Sequence, residues 1–172
     1  MGKPHGLLLP MLVALAFGLA LMAPTPEALA QPDRALEVDD VGYVYHVVDG
    51  DTFDAFPMGR VRLADVDAPE VDEPGYDEAR EALTELLMNE LVFLDVDDVY
   101  VEDRYHRLVC VAYVRYNSTH LLNVNRWLLV QGYASASDYP NEFNPGDWEL
   151  YVYAPEEELP DMAYDCLLYT SP

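Results

Sequence analysis

Short alternations of apolar and polar residues, each closed by a turn signal, fill the middle of this chain. Residues 41–48 predict a strand, Asp49-Gly50 a turn and residues 52–56 a second strand. Met58-Gly59 makes a tight turn into a third strand over residues 60–66. Ala68-Pro69 ends this meander, and Pro74-Gly75 breaks the chain again. Residues 77–90 carry Ala79, Ala82, Leu83, Leu86 and Leu87 at helical spacing, with acids on the other face. Asp77 and Glu78 suit the positive N-terminal end of that helix. A strand over 91–96, a turn at Asp97-Asp98 and a long apolar strand over 107–116 follow, closed by Asn117-Ser118. Residues 121–130 predict a second helix stopped by Gly132, and residues 133–137 a short extended segment. Five short strands with a helix inserted between the third and fourth predict an α+β, mainly β fold. Its expected form is a five-stranded OB-type Greek-key barrel with two or three helices. Residues 138–165 are rich in aromatics, proline and acids and carry no clear period.

Charge sharpens this picture. The formal net charge is -23, from 32 acidic and 9 basic residues, and Lys3 is the only lysine. Nonspecific attraction to polyanions is excluded as a default, so a nucleic-acid partner would need locally gathered arginines and a bridging cation. The same surface suits solubility in high salt. Residues 1–30 read as a secretion signal: a polar start with Lys3 and His5, an apolar run from Leu7 to Pro24, and Ala28-Leu29-Ala30 before Gln31. An uncleaved membrane anchor is the rival reading. Residues 31–40 then form a linker and 41–165 the folded domain, placed outside the cytoplasm. Of the two cysteines, Cys110 belongs to an apolar strand, while the ending 166–172 reads as a translated sequencing adaptor.

The candidate chemistry lies in two nearby segments. Val48-Asp49-Gly50-Asp51-Thr52 is followed by Arg62-Leu63-Ala64-Asp65-Val66-Asp67-Ala68-Pro69-Glu70. A sheet that buries the apolar positions throws these charges onto a common face. Such crowding is costly unless a metal or an ionic substrate meets it. Asp51 and Asp67 offer hard carboxylate oxygens to one divalent cation, favouring Ca²⁺ or Mg²⁺ over Zn²⁺. Asp103-Arg104-Tyr105-His106-Arg107, Val124-Asn125-Arg126 and Gly132-Tyr133-Ala134 complete the pattern.

Taken together, in this order and with these gaps, the motifs resemble the staphylococcal nuclease (thermonuclease) family over about residues 43–137. The resemblance implies a monomeric Ca²⁺-dependent phosphodiesterase acting on DNA and RNA and leaving 3′-phosphate ends. It implies a main-chain carbonyl of Ala68 as third metal ligand, where the best-known member has threonine. It makes Glu70 the general base, and Arg62 and Arg107 the pair that grips the scissile phosphate. Arg104 and Tyr105 would flank the nucleotide. Many members carry glycine where this chain has His106, which bears on the turn before Arg107. Plainer readings stand beside these. Glu70 alone reads as an exposed acid, Arg62 as a partner of Asp65, and Arg107 as a surface strand residue. Asp49 serves the turn, Trp127 the core, and Glu156-Glu157-Glu158 a solvated face. Asp65-Val66-Asp67 fails as a helix-loop-helix calcium loop because Glu70 stands where glycine belongs. Asn117-Ser118-Thr119 is a glycosylation acceptor motif. The rival function is a non-catalytic OB-type nucleic-acid-binding module; a third is a product folding poorly for want of the family's last helix.

Overall fold

A computed structural model describes residues 36–137 and 139–159. The expected signal segment, residues 31–35 of the linker and the suspect ending from Cys166 lie outside the described residues. Strand β1 (Asp40–Val47) pairs antiparallel with β2 (Thr52–Phe56), and β2 with β3 (Gly59–Leu63). After a two-residue strand β4 (Val66–Asp67), helix α1 (Tyr76–Leu87) leads to β5 (Leu91–Val96), which pairs with the other edge of β1. Strand β6 (Leu108–Asn117) pairs with β5, and its first residues run parallel to β3. That last pairing closes the order β3-β2-β1-β5-β6 into the five-stranded barrel the alternation predicts.

The barrel is filled by the inward set of each strand. Val44, Phe53, Val61, Leu94 and Ala112 meet Leu83 and Leu87 of α1. The helix ends earlier than residue 90. Asn89 takes a left-handed conformation (φ 67°) and its N–H donates to Val44 O, tying the chain back to β1. Cys110 is fully buried in this core, and burial pushes its thiol pKa up, leaving it inert.

One sequence expectation fails beyond β6. The second helix does not begin at Leu121. His120–Asn123 form strand β7, paired with the later half of β6, and helix α2 spans Val124–Gln131. Asn123 switches the chain from strand to helix, its side chain accepting the Arg126 N–H at 2.9 Å. Gly132, at φ 78°, closes the helix as expected. The apolar positions Leu121, Leu122, Val124 and Leu128 serve both geometries, which is why a helical period extends too far. The final stretch supplies no packing helix among the described residues. Instead β8 (Ser135–Ala136) pairs with β4, and β9 (Tyr151–Tyr153) extends the sheet beyond β7. Phe143 and Ala154 cover a second apolar layer, with Phe93, Val111 and Leu121, on the outside of β5, β6 and β7.

Candidate active site

The turn between β1 and β2 sets the first carboxylate. Val48 and Asp49 both donate backbone N–H groups to Thr52 O, and Asp49 Oδ1 accepts the Asp51 N–H at 3.2 Å. Asp49 therefore serves the turn. A Cβ at Gly50 would lie 2.6 Å from Ala68 Cβ and 2.8 Å from Ala79 Cβ. Only glycine lets this turn sit so close to α1 and to the loop carrying Asp67. That closeness brings the Ala68 N–H to Asp51 Oδ2 at 2.9 Å.

Arg62, on the outer face of β3, is enclosed by the loop that follows it. Its Nη1 lies 3.0 Å from Asp51 Oδ1 and donates to Val66 O at 2.6 Å and Leu63 O at 3.1 Å. Its Nη2 reaches Asp67 Oδ1 at 3.3 Å. Arg62 thus bridges the two predicted metal carboxylates and does not pair with Asp65. The reason is local. Asp65 adopts φ 51°, is buried, and instead accepts the Tyr139 N–H at 3.2 Å and Asn141 Nδ2 at 2.7 Å.

Asp51 is 7% exposed, and burial pushes its carboxyl up to about 6 despite the lowering effect of Arg62 and the Ala68 N–H. A half-neutralised, desolvated carboxylate beside a second carboxylate suits an added cation. The donors on hand are hard oxygens: Asp51, Asp67 and the Ala68 carbonyl, to which no described residue donates. Among the described residues no three His, Cys, Asp or Glu side chains cluster as a metal cage. A cation here would therefore rest on two carboxylates, main-chain oxygen and water, a set that fits Ca²⁺.

Thr52 carries the site across to β6. Its hydroxyl donates to Asp51 Oδ1 at 3.0 Å and accepts from Arg107 Nη1 at 3.4 Å. Arg107 is also fastened to Asp103, with Nε 2.7 Å and Nη2 2.6 Å from Oδ2. Burial alone would raise the Asp103 carboxyl. The Arg107 guanidinium and the N–H groups of Arg107 and Tyr105 outweigh it and hold the carboxyl below its usual range. His106 takes φ 59°, a conformation usually given to glycine, and its ring lies 3.1 Å from Glu102 Oε2. The turn before Arg107 is therefore formed without glycine. Tyr105 is 62% exposed, with the guanidinium carbons of Arg104 and Arg107 at 4.7 and 5.3 Å from its ring centre.

Arg62, Arg104, Tyr105 and Arg107 line a cavity of about 480 Å³. The acids Asp65, Asp97, Glu102 and Asp103 also line it, as do Tyr100, Tyr139 and Asn141. Sequence reasoning missed these three, and Thr52 as the link between arginine and carboxylate. Tyr139 and Asn141 lie in the segment without a readable period. Two buried carboxylates hold that segment in place: Asp65, as above, and Asp97, which accepts the N–H groups of Val99, Tyr100 and Glu142. Glu70 is not drawn in. It is exposed, and no hydrogen bond or ion pair among the described residues involves its carboxylate. Its backbone N–H donates to Glu73 Oε2 at 2.9 Å. Trp127 packs against the core and beside Tyr133, as expected.

A closed five-stranded barrel with arginines and carboxylates gathered beside β2, β3 and β6 defines an OB-type protein. The sequence model described as "Staphylococcal nuclease homologue" matches residues 60–157. That match takes in Arg62, Asp67, Glu70 and Arg107, while Asp51 precedes it. The chain is 35% identical over 122 residues to Micrococcal nuclease of Shigella flexneri, covering 67% of each chain. It is 35% identical over 103 residues to Protein ParB of Escherichia coli, covering 55% of this chain and 56% of that protein. The chain belongs to the staphylococcal nuclease family.

Proposed function

We propose that this protein is a Ca²⁺-dependent nuclease that hydrolyses phosphodiester bonds of DNA and RNA and leaves 3′-phosphate ends. One observation carries the reading. Arg62 joins Asp51 and Asp67, and Thr52 joins Asp51 to Arg107, so two guanidinium groups and two carboxylates are linked, and both guanidinium groups line one cavity. The similarity to Micrococcal nuclease supports it.

In this mechanism Asp51, Asp67 and the Ala68 carbonyl would hold the cation. When bound, calcium would supply Lewis-acid polarisation of a phosphoryl oxygen. Arg62 and Arg107 turn their donors to the phosphate and stabilise the charge that builds on its oxygens. Asp103 holds Arg107 at the cavity edge, and Thr52 fixes its distance from Asp51. Glu70 takes a proton from the attacking water at its carboxylate; its exposure leaves it free to do so. Arg104 and Tyr105 hold the adjoining nucleotide, Tyr105 by its exposed ring face. The proposed setting is outside the cytoplasm, on the strength of the apolar leader before Gln31 alone.

The test is digestion of single-stranded DNA by the wild type beside Glu70→Gln, with calcium and with excess EGTA. Cleavage by the wild type that both the substitution and the chelator abolish is expected. Undiminished cleavage in EGTA would remove the metal assignment. No cleavage by either protein, with DNA binding retained, would favour the binding-module alternative.

A further inference from the structure

Strand β3 carries a second arginine on the face that presents Arg62. Arg60 stands two residues earlier, about 6.7 Å along the strand. Its side chain is 49% exposed but held firmly. Nε donates to Asp54 Oδ1 at 2.8 Å and Nη2 to Oδ2 at 3.1 Å. Asp54 lies directly opposite in β2, and opposite it in β1 is His46, with Nδ1 3.0 Å from Asp54 Oδ2. The Asp54 carboxyl is held below its usual range, first by the Arg60 hydrogen bond. Asp49 and Tyr45 are the other ionisable groups acting on Arg60.

The geometry leaves a usable donor edge. The fork to Asp54 uses Nε and one side of Nη2, and Nη1 has no partner among the described residues. The register places the Asp54–Arg60 pair two positions from the Thr52–Arg62 pair, on the same face of the ladder. The outer face of β2 and β3 therefore carries arginines in consecutive rows, and the second row is the candidate site. Their spacing is comparable to that of neighbouring phosphates on an extended strand. Cations are scarce elsewhere: the described residues contain seven basic residues, all arginine, and four of them are Arg60, Arg62, Arg104 and Arg107. A polyanion approaching so acidic a surface is guided along that line.

Resting on the nuclease reading above, we propose that Arg60 is a second phosphate subsite. A strand whose reacting phosphate meets Arg62 and Arg107 continues over β2 and β3. A flanking phosphate there meets the outer edge of Arg60. Asp54 is a positioning residue that aims this edge outward.

The experiment measures binding of dye-labelled oligothymidylates by fluorescence anisotropy, in calcium and across a salt series, with Glu70→Gln as the non-cutting parent. Added to that parent, Arg60→Ala is expected to weaken a dodecanucleotide about fivefold to tenfold. It should also reduce the salt slope by about 0.7, the loss of one phosphate contact on a single strand. A dinucleotide, which spans only the reacting phosphate, should bind within about twofold of the parent. Arg60→Gln, which still donates to Asp54, should weaken the long strand in the same way and guards against a folding defect. Arg60→Lys should restore the slope. Asp54→Asn, which breaks one arm of the fork that aims Arg60, should likewise weaken the long strand and leave the dinucleotide unchanged. An unchanged dodecanucleotide affinity and slope, or an equal loss on both lengths, would overturn the proposal while leaving the nuclease reading intact. A wild type that neither cuts DNA nor binds either oligonucleotide would overturn both.

Discussion

Two aspartate–arginine pairs meet at this site and behave oppositely. In Asp51–Arg62 the carboxyl is raised to about 6, because burial outweighs the guanidinium. In Asp103–Arg107 the carboxyl is lowered, because the side-chain fork and two backbone N–H groups outweigh burial. The difference lies in how the arginine is shared. Arg107 gives Asp103 two close contacts, whereas Arg62 divides its donors among Asp51, Asp67 and two carbonyls. One pair is electrostatically complete. The other is short of positive charge, which is the condition a metal site needs.

Removing either guanidinium tests the largest consequence. Arg62→Ala and Arg107→Ala should each lower kcat by about a hundredfold to a thousandfold on single-stranded DNA. A small effect of Arg107→Ala would mean that its bond to Asp103 is only structural. Asp51→Asn should lower calcium-supported activity by about a hundredfold or more. The same change should stabilise the metal-free protein at pH 7 to 8. The sign follows from linkage. With a folded value near 6 and an ordinary value of 3.8, the folded state binds more protons between those limits. Stability therefore falls as pH rises through that window, by up to about 3 kcal/mol, and Asn escapes the fall. Urea unfolding in EGTA at pH 4 and pH 8 checks it, and a less stable Asp51→Asn at pH 8 would erase the contrast between the pairs.

Asp103→Asn should act in the other direction. It loosens Arg107, lowers activity about tenfold, and destabilises the protein at neutral pH. Because the folded value is depressed, the wild type's advantage is present above about 3.8 and is lost as pH falls below it. The smallest effect concerns the rest of the surface. With net charge -23, raising salt from low to molar should screen self-repulsion and raise Tm by roughly 2–8 °C, about 1 kcal/mol. The buried Asp51 contribution should change little over the same series.

The barrel was legible because its strands are short alternating or continuously apolar runs, each ending in a turn signal. The gathering of Asp51, Arg62, Asp67 and Arg107 was legible because they stand on or beside strands of that barrel. The partner of Arg62 was not, since the choice between Asp51 and Asp65 turns on one positive φ. The start of α2 was hidden because Leu121 and Leu122 satisfy strand and helix alike. The cavity wall was hidden for a different reason. Tyr139 and Asn141 are held by Asp65, more than seventy positions earlier, and no local pattern carries that bond.

The contact between Gly50, Ala68 and Ala79 has a wider consequence. Three of the smallest side chains act as a spacer whose thickness sets how near one acid comes to the next. A bulkier residue at any of them would wedge the carboxylates apart without touching a single charged group. Loss of function in such a variant would then arise from a fraction of an ångström of steric displacement, in a molecule whose ionisable groups were all still present.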